Sequence, residues 1–163
     1  MDKASWFKLS LAVVLLAAAG ALLWRFSLRT ASGTGRAFFY DLSLKKLFAA
    51  PRTAIPPIQG LDDPEPDAVR AVVVSTTGHP ENKSSWKIAY LEVYSPVLKR
   101  QMEAAQAAGT SPAMGRAEAQ HHRFVCRLAD TAWSPISSPE AERILTEWTV
   151  PGTNGITPVV CTP

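Results

Sequence analysis

Two stretches decide the fold: Ala68–Ser75, AVRAVVVS, and Trp86–Tyr94, WKIAYLEVY. The first is rich in β-branched residues and reads as a buried strand. In the second, period-two alternation sends Trp86, Ile88, Tyr90 and Tyr94 to one side and Ala89, Leu91 and Val93 to the other. Both sides are largely apolar, as in a central strand covered on both faces. Gly78 to Ser85 supplies turn chemistry between them. The pair therefore forms a hairpin whose loop, at about ten residues, is longer than most.

Upstream, Ala37–Asp41 and Lys46–Ala50 predict a first hairpin turning at Leu42–Lys45. Pro51 to Pro66 comes next as an extended loop with five prolines and the acidic residues Asp62, Asp63 and Glu65, next to Asp67. Downstream, Ser95 caps a helix that has Pro96 at its first position, repeats Leu98, Met102 and Ala105, and stops at Gly109. Thr110 to Gln120 reads as loosely structured, and Arg123 to Ala129 as a third core strand. Ser137 and Glu140 match a capping box for a last helix, with Ala141, Ile144, Leu145 and Trp148 on its apolar side. A turn at Pro151–Gly155 and a short strand ending at Cys161 close the chain. The expected class is α+β, an antiparallel sheet packed with about two helices and preceded by a transmembrane helix.

That helix is read from Leu9 to Trp24, LSLAVVLLAAAGALLW, which carries no charge. Its core is Leu9, Leu11, Val13, Val14, Leu15, Leu16, Leu22, Leu23 and Trp24, roughly 24 Å of helix. Flanking Trp6, Phe7 and Phe26 suit the headgroup level and extend it toward the ~30 Å hydrocarbon core. Cleavage after Ala19 or Ala21, as in a signal peptide, is the alternative, but Leu22–Trp24 continue the apolar run past either site. The division expected is a signal-anchor segment at 1–29, a linker at 30–36 and a head domain at 37–163.

The chain of 163 residues is 47% hydrophobic and 19% charged, which argues against wholesale disorder. Its formal charge of +3 resides in residues 1–29, where Lys3, Lys8, Arg25 and Arg29 face only Asp2. The remainder is neutral, so no basic face for nucleic acid is expected. Arg25, Arg29 and Arg36 after the apolar run favour a cytoplasmic head by the positive-inside count. The lysines before that run and the even pair of cysteines favour export. An extracytoplasmic head, periplasmic in a Gram-negative cell, is the expectation adopted, with the lipid bilayer as one partner. In an oxidising space Cys126 and Cys161 would form a disulfide.

Catalytic signatures are sparse. No nucleophile elbow, phosphate-cradling loop or zinc-protease motif occurs. Adjacent His121 and His122 would face opposite sides of a strand, and two cysteines cannot close a zinc site, so no metal or cofactor is expected. A small envelope hydrolase using His121 or His122 is the enzymatic alternative. The acidic loop lacks the alternation of a calcium site and reads as solvated. Trp86 and Trp148 fit core positions; Trp133 stands in a loop, where a ligand groove is the alternative to the core packing expected of it.

With Ala37–Leu42 (AFFYDL), Ala54–Ile58 (AIPPI), Ala89–Glu92 (AYLE) and Thr157–Cys161 (TPVVC), the chain resembles a family of small single-pass bacterial envelope proteins with no assigned activity. The resemblance covers about residues 36–163 and implies no site. A weaker likeness is to type IV pilin-like subunits, which also join an apolar N-terminal helix to a sheet; their processing site and helix glutamate are missing here. The expected function is a membrane-anchored interaction or assembly domain without catalysis.

Overall fold

The computed structural model of the protein describes residues 35–62 and 64–163. The two deciding stretches become β3 (Ala68–Ser75) and β4 (Trp86–Tyr94), paired antiparallel. Their register runs Arg70↔Glu92, Ala71↔Leu91 and Val72↔Tyr90, then jumps to Val73↔Ile88. Ala89 is the extra residue of a β-bulge, and the bulge flips the side-chain alternation. Trp86 and Ile88 consequently share a core with Leu91 and Val93, while Tyr90 and Tyr94 pack on the other face. The uninterrupted alternation expected for this strand is corrected by that one residue.

Around this pair the sheet runs β2 (Lys46–Pro51), β1 (Arg36–Asp41), β3, β4, β5 (Arg123–Cys126) and β6 (Ser134–Pro135), all antiparallel. β7 (Val159–Val160) pairs with β3 at Val74 and Ser75, on the edge where β1 pairs further along. The compact unit begins at Arg36.

Among the described residues three α-helices occur where about two helices were expected. Ser95 Oγ accepts the Leu98 N–H at 3.2 Å to start α1 (Pro96–Ala108), which ends at Gly109 in the left-handed region, φ +64°. The unexpected helix is α2 (Arg116–His121), a short element with no fully buried residue and hence no apolar period to read. The last, α3 (Pro139–Glu147), is capped by Ser138, whose Oγ accepts the Ala141 N–H at 3.2 Å. The cap lies one residue later than the Ser137–Glu140 box implied, because Pro139 takes the first helical position.

The helices pack on one face of the sheet, over two small apolar clusters. Ile55, Tyr94 and Leu98 with Met102, Met114 and Ala119 form one; Val125, Ala141 and Ile144 with Tyr90 and Leu145 form the other. The larger cluster, on the opposite face, joins Phe38, Val69, Ala71, Val73 and Leu91 to Trp86 and Trp133, and no residue of the three helices belongs to it.

Two further expectations need correction. No helix among the described residues is long and apolar enough to cross a membrane. The longest of them, α1, has 13 residues, about 20 Å against ~30 Å of hydrocarbon, and is amphipathic. The single-pass, signal-anchored placement with an extracytoplasmic head is accordingly withdrawn. The residues proposed as its anchor (Leu9, Leu11, Val13, Val14, Leu15, Leu16, Leu22, Leu23 and Trp24) lie outside the described residues.

The disulfide is also corrected. Cys126 and Cys161 are both buried and both free. Cys161 follows β7 and donates its N–H to Val73 O at 2.8 Å, whereas Cys126 ends β5. The order β7–β3–β4–β5 separates them by three strand spacings, about 14 Å along the sheet. A bridge needs Cα atoms about 4.4–6.8 Å apart.

Candidate functional site

A cleft of about 570 Å³ opens on the helix-covered face where α3 ends. Its floor is Val74 of β3 with Lys87, Ile88 and Ala89 of β4, so the bulge lies in the floor. Glu147 and Trp148 from the end of α3 make one wall, and Val150, Asn154 and Pro158 make the other. Asn154 Nδ2 donates to Thr76 O at 3.3 Å and ties the 150–158 segment back to the end of β3.

The polar groups of this cleft are unequally used. Glu147 accepts two bonds from Arg127, Nε to Oε1 at 2.6 Å and Nη2 to Oε2 at 2.7 Å. Arg127 also donates to Glu140 at 2.8 Å and Asp130 at 3.2 Å. These carboxylates, Glu147 first, raise the guanidinium pKa further, and the reciprocal bond from Arg127 lowers that of Glu140. Trp148 Nε1 is shut off from water and has no acceptor among the described residues. Lys87 is exposed and makes no ion pair with them. At the rim Val150 is 64% exposed, and Val160, also exposed, lies opposite Val74 of the floor in the β3–β7 register.

The histidines singled out from sequence are not brought together. Instead of lying on a strand, His121 ends α2 and His122 is the next residue. His121 Nδ1 is 3.0 Å from Ser137 Oγ, and His122 Nδ1 is 2.9 Å from Ser95 Oγ, the hydroxyl that already caps α1. Neither histidine lines the cleft beneath α3. His79 pairs with Glu81 at 3.1 Å in an exposed turn.

The acidic segment does structural work that its composition did not disclose. Asp41, fully buried, accepts the N–H groups of Leu44 at 2.7 Å and Leu61 at 2.8 Å, and these bonds lower its pKa. Asp67 accepts the Ser43 N–H at 3.0 Å and its hydroxyl. Both carboxylates close on Gly60, where an added Cβ would sit 2.5 Å from Asp41 Oδ2 and 2.6 Å from Asp67 Oδ1. The loop is thereby pinned to the β1–β2 turn. No group of three or more His, Cys, Asp or Glu among the described residues could hold a metal ion.

Of the three tryptophans read as core residues, one departs from expectation. Trp133, although in a loop, packs against the helix-free core as expected, and Trp86 stacks edge-on to Phe38 at 5.1 Å. Trp148, read as a core residue, lines the cleft instead. Its position just past the end of α3 was the available signal, since the last turn of a helix opens its unpaired carbonyls, and the residues beside them, to the surface.

The described residues fold as a mostly antiparallel sheet with three α-helices on one face. No protein-family model, curated protein or solved structure matches the chain.

Proposed function

We propose that Arg36–Pro163 is a protein-interaction domain that engages a partner through its C-terminal segment, without catalysis of its own. The observation that carries this reading is exposed Val150 lining the Trp148 cleft, together with exposed Val160, which pairs with Val74 of the cleft floor. Exposed aliphatic side chains beside a cleft suit an association site, and a partner aromatic or aliphatic side chain could fill the cleft. Supporting it, the indole N–H of Trp148 and the ammonium of Lys87 leave donors for a partner's carbonyl or carboxylate once side chains adjust.

A photo-crosslinking residue placed at Val150 of the full chain, in the cells that make it, tests the proposal. One discrete adduct is expected, absent when the crosslinker sits at Lys45 and lost in the Val160→Asp background. No adduct at Val150, or the same adduct from both positions, would overturn the reading.

A further inference from the structure

A second cleft system lies at the Tyr94 end of the helix-covered face, and its chemistry is different. Two adjoining clefts of about 320 and 390 Å³ share Tyr94, Met102 and Pro112 as a common wall. Arg52 and Arg70 border the first, Arg116 and Arg123 the second, and no carboxylate lines either. Leu98 and Met114 extend the apolar wall.

Arg70 is the unusual member. It is half-buried in β3, and its guanidinium lies 5.7 Å from the Phe39 ring centroid. Nη2 donates to the carbonyls of Arg52 at 3.0 Å and Ala54 at 2.9 Å, while Nε is sealed from water and finds no acceptor among the described residues. The carboxylate directly across the strands is Glu92, but its Oε1 accepts from Arg123 Nε at 3.0 Å and Nη2 at 2.6 Å. Arg52 and Arg116 are exposed and make no ion pair with any described residue. Four guanidinium groups thus share one hydrogen-bonded carboxylate. A partly desolvated cation without its own counter-charge is unfavourable, and an incoming anion relieves it. Guanidinium forks suit carboxylate and phosphate, and the apolar wall selects what the anion carries.

We propose that this double cleft binds an amphipathic organic acid, its acidic head between Arg52 and Arg70 and its apolar chain along Tyr94, Met102 and Met114. This site is separate from the Trp148 cleft and does not rest on the interaction reading.

The sequence has three methionines, Met1, Met102 and Met114, so methyl-labelled methionine gives a direct readout. The full chain is titrated with decanoate, decyl phosphate and decanol, each below its aggregation limit. Saturable shifts of the Met102 and Met114 resonances are expected with the two acids, and the tighter acid identifies the headgroup. Arg52→Glu, a change at an exposed side chain, should weaken acid binding about tenfold. Decanol binding as tightly as the acids, shifts confined to Met1, no shift at all, or unchanged affinity in Arg52→Glu would each overturn the assignment.

Discussion

Arg123 opens β5 and Arg127 lies just beyond its end, four positions apart, yet they solve opposite electrostatic problems. Arg123 serves one carboxylate, Glu92, whose side chain is 9% exposed against 39% for its own. Arg127 gathers Asp130, Glu140 and Glu147 at an exposed surface. The first pair lies between the two apolar clusters beneath the helices, next to Tyr90 and Tyr94, and burial and the nearby Glu92 charge raise both phenol pKa values. The second ties α3 and the loop after β5 together. A desolvated pair of this kind is expensive to break and fixes its neighbourhood, while a solvated cluster trades partners easily.

The sharpest way to break the contrast is to remove one member of the buried pair. Arg123→Met strands Glu92 in a site that water barely reaches, and should lower unfolding stability by about 3 kcal/mol. Glu92→Gln leaves the cation, which can turn to solvent, so a smaller loss of about 1–2 kcal/mol is expected. Urea denaturation of both variants measures the difference. Equal losses, or a larger loss from Glu92→Gln, would mean that the burial asymmetry does not govern the pair.

These two residues also mark where the sequence was readable. Most strand positions, the caps at Ser95 and Gly109, and the antiparallel pairing come from local pattern, because β-branching and capping chemistry act within a few residues. The bulge at Ala89 does not, since nothing in WKIAYLEVY distinguishes a shifted register from a regular one. That single shift leaves Tyr90 and Tyr94 on the helix side, where Tyr94 walls the double cleft, and places Ala89 in the floor of the other cleft. Pairing of Glu92 with Arg123 instead of Arg70 is likewise a choice between two neighbouring strands, made by tertiary geometry. The C-terminal cleft was hidden for a similar reason: Val74, Ala89 and Trp148 meet only after the sheet has closed around them.

The exposed cluster should respond to conditions that leave the buried pair untouched. In Arg127→Gln the stability loss should shrink in 1 M salt, where screening acts within about 3 Å, while the Arg123→Met loss persists. Glu140 also gives the network a pH signature. Its pKa in the folded chain is below the ordinary 4.5, chiefly through the bond from Arg127. Its stabilisation is complete above the unfolded value and is lost as pH falls through the lowered one. Acid unfolding of the wild type should steepen below about pH 4.5, and the Arg127→Gln variant should show a shallower limb. Identical acid limbs would mean that the network is not intact in solution.

The smallest effect expected is none at all, from reducing agent on the native protein. On the helix-free face burial, with a smaller contribution from Asp130, pushes the Cys126 thiol up to about 11, and burial also raises that of Cys161. At pH 8 roughly one Cys126 in a thousand is then thiolate, the form that reacts. Native chains should therefore label slowly with a disulfide-exchange reagent, and denatured chains should yield both thiols without prior reduction. Thermal midpoints with and without dithiothreitol should coincide. A bridge closing this segment would contribute about 3–4 kcal/mol, so a clear drop on reduction would show that the strands carrying Cys126 and Cys161 approach each other more closely than their separation across the sheet allows.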